Sequence, residues 1–140
     1  MASTSTHIDV PRTPEQVWQL IGGFGSLPDW LPYIPGSTLS EGGRVRTLTN
    51  AEGETIVERL TAFDEGSRTY TYTILKAPFP VTDYLSTLTV HPLPDAGTAR
   101  VEWSGTFTPA GVSEEEATTL FHGIYTEGLA ALERTLREQA

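Results

Sequence analysis

The chain has no cysteine, and it has one lysine and one methionine. Without cysteine there are no disulfide staples, no thiolate nucleophile and no Cys-ligated zinc or iron–sulfur centre. Basic residues are scarce: nine Lys and Arg against eighteen Asp and Glu give a net charge of −9. That balance excludes a phosphate-backbone surface, which needs clustered cations, and it disfavours an anionic membrane face. Histidine is limited to His7, His91 and His122, too scattered for ligand spacing, so no metal is expected. No apolar run approaches the roughly 18 residues of a membrane span. The first residues, MASTSTHIDV, carry no basic segment followed by an apolar stretch. No signal peptide or membrane insertion is expected, and the expected location is cytoplasmic.

What is present fits one domain over residues 1–140. A chain of this size buries roughly two-thirds of its unfolded surface, enough for a single core. Residues 3–10 alternate as a strand. Thr13-Pro14-Glu15-Gln16 has the form of a capping box with Pro at the first helical position. It precedes an apolar face of Val17, Trp18, Leu20 and Ile21, and Gly22-Gly23 ends the helix. Residues 24–36 hold three prolines among large apolar side chains, which predicts a short second helix around Pro28–Leu31 and a packed connector. Six runs rich in Val, Ile, Thr, Tyr and Phe follow over 37–40, 44–49, 54–63, 68–75, 82–91 and 99–109. Turn residues separate them, which predicts an antiparallel meander. Ser113-Glu114-Glu115-Glu116 opens a terminal helix over 113–140, roughly 39 Å long at 1.5 Å per residue.

Side-chain alternation sorts the strands into two faces. Ile56, Glu58, Leu60 and Ala62 share one face, with Val57, Arg59, Thr61 and Phe63 opposite. Tyr70, Tyr72 and Ile74 line up in the next strand, then Tyr84, Ser86, Leu88 and Val90, then Val101, Trp103, Gly105 and Phe107. The opposite faces are rich in Thr, as in an antiparallel sheet with one covered side. On the terminal helix, Ala117, Leu120, Phe121, Ile124, Gly128, Ala131 and Leu132 form the apolar stripe, with Tyr125 at its edge. Glu58, Tyr72, Tyr84 and Ser86 are polar groups on an otherwise apolar concave face. They fit the lining of a ligand cavity better than a solid core. Meander geometry sets the loops 50–53, 77–80 and 110–112 at one end, where Phe79 reads as a gate. Arg46 shares the parity of Arg44 and Leu48, and so short a strand does not decide which face turns inward.

Pro14-x-x-Val17-Trp18, Trp30-Leu31-Pro32, Arg46, Val57-Glu58-Arg59-Leu60, Tyr70–Ile74, Pro80-Val81, Tyr84–Leu88, and Trp103 followed by Phe107 resemble the START/SRPBCC superfamily. The resemblance spans about residues 3–138 and is closest to the polyketide cyclase/dehydrase-like subgroup. It implies an α+β helix-grip fold: a seven-stranded antiparallel sheet wrapped around a long C-terminal helix, with two short helices after the first strand. This superfamily hosts binding, transport, signalling and catalysis in one cavity.

Within that frame Glu58 is the candidate general base or ligand anchor; the alternative is a structural ion pair with an arginine such as Arg46. Tyr72 and Tyr84 are candidates for holding an enolate or carbonyl oxygen, with Tyr33 reaching in from the connector. Ile56, Tyr70, Ser86, Tyr125 and Phe79 complete the expected ligand site. Trp30, Trp103, Phe107 and Phe121 either shape the pocket or fill a solid core. His122 reads as a surface residue and Glu114–Glu116 as helix capping. Two functions remain open: a cofactor-free cyclase, aromatase or dehydratase acting on a polyketide-like or aromatic molecule, and a non-catalytic carrier or sensor of a hydrophobic molecule or lipid. The expected partner is a small hydrophobic or aromatic ligand, with no cofactor, and the chain is expected to be a monomer or homodimer.

Overall fold

In the computed structural model, which describes residues 1–95 and 97–138, the predicted alternation becomes seven strands. They are β1 (Ala2–Val10), β2 (Gly36–Ser40), β3 (Val45–Thr49), β4 (Thr55–Asp64), β5 (Thr69–Lys76), β6 (Val81–Pro92) and β7 (Ala99–Pro109). All pair antiparallel in one sheet of order β1-β7-β6-β5-β4-β3-β2. Hairpins join β2 through β7 in sequence, and β1 returns to close against β7. Helix α1 (Pro14–Ile21) follows β1, and helix α2 (Glu114–Glu138) packs back against β1 and β7. This is the START-like helix-grip arrangement.

Local chemistry sets the helix ends. The Thr13 side chain accepts from the Gln16 backbone N–H at 3.1 Å, and the Thr13 N–H donates to Gln16 Oε1 at 2.9 Å, so both arms of the capping box form. Ser113 Oγ accepts the Glu116 N–H at 3.0 Å, and three glutamates occupy the first turn of α2, where they complement the helix dipole. The predicted second helix shrinks to one 3-10 turn, Leu27–Asp29. Pro28 is tolerated in the first turn, but Pro32 lacks the N–H that a longer helix would need there and disfavours helical geometry at Leu31.

Two faces differ from the alternation read in the sequence, and a third, left open there, is decided. In β4 a register shift between Leu60 and Ala62 leaves Thr61 as an extra residue. The bulge reverses the parity beyond it, so Phe63 pairs with Tyr70 and packs on Trp18 at 5.7 Å instead of pointing away. On α2 the covered face runs through Ala117, Phe121, Tyr125, Gly128, Leu132 and Leu136, with Leu129 also buried. Tyr125 is central to it and Leu120 is exposed, because the Tyr125 ring stacks on Trp103 and turns the helix that way. In β3, Arg46 and Leu48 face inward and are 1% and 2% exposed.

Two glycines let α2 and the sheet approach. A Cβ at Gly128 would lie 2.6 Å from the Trp103 ring and 2.8 Å from the Tyr33 hydroxyl, and one at Gly105 would strike the Tyr125 hydroxyl. Alanine favours a helix over glycine by about 1 kcal/mol. Overpacking against two aromatic rings costs about 1–3 kcal/mol. Gly128→Ala is therefore expected to lower the thermal midpoint despite its better helix propensity. A raised midpoint in calorimetry would show that Trp103 and Tyr33 yield freely.

Candidate functional site

Inward-facing side chains of β3 to β7, the 27–34 connector and α2 do not meet completely. They enclose a cavity of about 230 Å³. Its wall is mostly apolar, with Leu27, Leu31, Ile34, Leu48, Ile56 and Ile74 among its members. Asn50, Glu52, Phe79 and Ile124 also line it, and Phe79 meets Phe121 edge-on at 5.4 Å.

The charged part of the wall is a cross-strand pair. Arg46 on β3 sits opposite Glu58 on β4. Arg46 Nε donates to Glu58 Oε1 at 2.7 Å, and Nη1 donates to the Phe24 carbonyl at 3.1 Å and the Tyr70 hydroxyl at 3.4 Å. The guanidinium lies 4.1 Å from the Phe24 ring centre and 4.6 Å from that of Tyr72, within cation–π range. Burial pushes the Glu58 carboxyl above its ordinary range, and Arg46 pulls it back. Burial is the largest single influence on Arg46 and works against the cation, but the Glu58 carboxylate together with Tyr70 and Tyr72 outweighs it, and the guanidinium holds its proton more tightly than usual. Glu58 Oε2 has no protein partner among the described residues.

Beside the pair lies a cluster of hydroxyls. Trp103 Nε1 donates to both the Tyr72 hydroxyl and Ser86 Oγ, each at 3.1 Å. Ser86 Oγ donates to the Ser104 carbonyl at 2.8 Å and accepts from the Tyr125 hydroxyl at 3.4 Å. The Tyr84 and Tyr125 hydroxyls bond to each other. Burial is the largest cause raising Tyr72 and Tyr84 well above an ordinary phenol, and it pushes Tyr125 up to about 12. Burial likewise raises Tyr33, whose hydroxyl donates to the Ile124 carbonyl at 3.0 Å. At neutral pH these four are therefore phenols and not phenolates.

Ten of the residues singled out in the sequence line this cavity: Tyr33, Arg46, Ile56, Glu58, Tyr72, Phe79, Tyr84, Trp103, Phe121 and Tyr125. Four others stand behind it. Trp30 packs on Trp103 at 5.8 Å, Tyr70 backs Arg46, Phe107 lies between Tyr84 and Phe121, and Ser86 is fully covered by its hydrogen bonds. The Trp30 indole N–H is buried without a partner. Alternation could have reached Leu48 through the parity of Arg46, and Ile74 through that of Tyr72. The connector residues Leu27, Leu31 and Ile34 carry no periodic signal. His122 is exposed and shares a hydrogen bond with Thr4 at 3.0 Å, and His91 meets Glu102 at 3.0 Å. Among the described residues no three metal-ligating side chains cluster. No helix of the described residues is long and apolar enough to cross a membrane.

The chain is similar to the protein XoxI from Bacillus cereus, 62% identical, with a TM-score of 0.94 over 96% of this chain and 94% of that one. A START superfamily protein from Mycobacterium smegmatis shares the fold at 17% identity, with a TM-score of 0.79 over 100% of both chains. So does the di-domain ARO/CYC protein BexL of the BE-7585A biosynthetic pathway, at 19% identity and a TM-score of 0.80 over 98% of this chain and 47% of that one. No curated protein matches the chain. A family model described as polyketide cyclase / dehydrase and lipid transport matches residues 1–137, nearly the whole length. The chain belongs to that family, and its fold is START-like.

Proposed function

We propose that the chain is a single domain, residues 1–140, whose cavity binds a small hydrophobic or aromatic molecule and performs cofactor-free cyclase- or dehydratase-type chemistry on it. The reading includes a cytoplasmic protein of small-molecule biosynthesis, working as a monomer or homodimer. The observation that carries it is the Arg46–Glu58 pair set in a largely apolar cavity wall beside three phenols. A wall built only to hold a hydrophobic molecule has no use for two desolvated charges.

The residues can supply each proton that a dehydration needs. Glu58 Oε2 takes a proton from the carbon beside a ligand carbonyl. The Tyr72 O–H hydrogen-bonds the enolate oxygen that forms. Glu58 then returns the same proton to a β-hydroxyl, which leaves as water. Tyr84 and Tyr33 hold other ligand oxygens, and the aromatic wall of Trp103, Phe121 and Tyr125 keeps a flexible chain in a reactive fold. The second reading, a carrier or sensor of a hydrophobic molecule or lipid, draws on the aliphatic part of the wall and on the lipid transport in the family's description.

Native mass spectrometry of the chain purified from its own host is expected to show a retained small molecule. An oxygenated aromatic or polyketide-like mass supports the enzyme, and a simple lipid supports the carrier. With that molecule as substrate, Glu58→Gln is expected to abolish turnover and weaken binding only modestly. The variant leaves Arg46 without its counter-ion and is expected to lose about 3 kcal/mol of stability, so it is assayed well below its melting point. Unchanged turnover would remove Glu58 from the chemistry.

Phe79→Ala, which takes away the edge contact with Phe121, is expected to speed ligand dissociation several-fold in stopped-flow exchange. An unaltered rate would count against a gate.

The buried phenols give a pH signature. Their folded values lie above the ordinary value of about 10, so the stability they contribute is whole below that pH. It is lost as pH rises towards about 12, the Tyr125 value. Alkaline titration of tyrosinate absorbance is expected to show at most one of the five tyrosines ionised before unfolding begins. Two or more ionising in the folded protein would mean that water reaches the cluster.

A further inference from the structure

The hydroxyl cluster has a direction, and proton counting gives it. A carbonyl oxygen only accepts, so the Ser86 hydroxyl spends its one proton on Ser104 at 2.8 Å. An indole N–H only donates, so Trp103 fills one acceptor position on Ser86 at 3.1 Å. The Tyr125 hydroxyl donates to the remaining one at 3.4 Å. With its single proton committed there, Tyr125 can only accept in its bond with Tyr84, and the Tyr84 proton is committed in turn. Tyr72 differs. It accepts from Trp103 at 3.1 Å, and its own proton has no acceptor among the described residues. Both Tyr72 and Tyr84 line the cavity, with ring centres 6.1 Å apart.

We propose that Ser86 fixes the polarity of the site. It is a positioning residue that makes Tyr72 the phenol that donates to a ligand and Tyr84 the phenol that accepts from one. The ligand that matches is an uncharged aromatic hydroxy-carbonyl compound: its carbonyl oxygen takes the Tyr72 proton and its hydroxyl gives a proton to Tyr84. It is uncharged because Arg46 and Glu58 already neutralise each other, and a further buried charge would have no counter-ion. It is small, because about 230 Å³ at interior packing density holds roughly 10 to 13 non-hydrogen atoms. This inference rests on the reading of the cavity as a ligand site.

Two probes of that size separate the roles: 2-acetylnaphthalene, which only accepts hydrogen bonds, and 2-naphthol, whose hydroxyl donates. Their dissociation constants are measured by calorimetry against the wild type and three variants, each checked for folding by circular dichroism. Tyr72→Phe is expected to weaken 2-acetylnaphthalene about threefold to tenfold and to spare 2-naphthol. Tyr84→Phe is expected to do the reverse. Ser86→Ala removes the acceptor that holds the Tyr125 proton, so Tyr125 donates to Tyr84 and the Tyr84 proton turns into the cavity. The affinity ratio is then expected to move about threefold or more towards 2-acetylnaphthalene. A general loss of packing would weaken both probes together and leave the ratio unmoved. An unmoved ratio in Ser86→Ala, or equal losses for both probes in the two tyrosine variants, overturns the polarity while leaving the cavity intact. If neither probe binds the wild type, the ligand site falls and the polarity falls with it. Should Ser86→Ala not fold, the crossed pattern of the two tyrosine variants still decides the matter.

Discussion

Two opposite charges removed from water must stay together, and much of this structure follows from keeping Arg46 and Glu58 in contact. Their pairing fixes the register of β3 on β4, since a slip of one residue would turn one of the two charges outward and strand the other. It also ties down the connector, because the Phe24 carbonyl accepts from the same guanidinium and the Phe24 ring covers it. Breaking such a pair from one side costs about 3–5 kcal/mol, more than its net gain over apolar packing. A fold that only needed stability would do as well with two aliphatic residues there. The surrounding aromatic cage of Phe24 and Tyr72 supports the guanidinium of the pair.

The hydroxyl cluster obeys a similar rule. Ser86, Trp103, Tyr84 and Tyr125 satisfy one another in a space from which bulk water is excluded, and the close approach of α2 that permits this depends on Gly105 and Gly128. Backbone geometry, side-chain size and hydrogen-bond direction are therefore set together. Polar groups arranged before a ligand arrives need no rearrangement when it does, which is where preorganised sites gain their advantage.

Much of this was legible in the chain. The capping box at Thr13, the meander from residue 37 onward and the inward parity of Tyr70, Tyr72, Tyr84, Ser86 and Trp103 all follow from local rules, and the sheet displays them. Glu58 stood out because it breaks an apolar face, and Arg46 is its partner in the structure. Arg46 was not assignable because a five-residue strand between a 3-10 turn and a loop gives too few positions to fix its face. Phe63 was misplaced because one extra residue, Thr61, inverts the alternation, and a bulge leaves no mark in a pattern of period two. Tyr125 moved from the edge of its helix face to the centre because stacking on Trp103 rotates the helix, a tertiary effect that a helical wheel cannot contain. Leu27, Leu31 and Ile34 entered the site through an aperiodic connector held by 3-10 geometry.

The scarcity of lysine acquires a practical meaning once the strands are in place. Lys76 is exposed at the end of β5, where the chain turns into the loop that carries Phe79. An amine-directed fluorophore coupled to Lys76 would sit beside the 77–80 loop without any engineered residue. The native sequence thus carries its own optical reporter position for loop movement and for the arrival of a ligand.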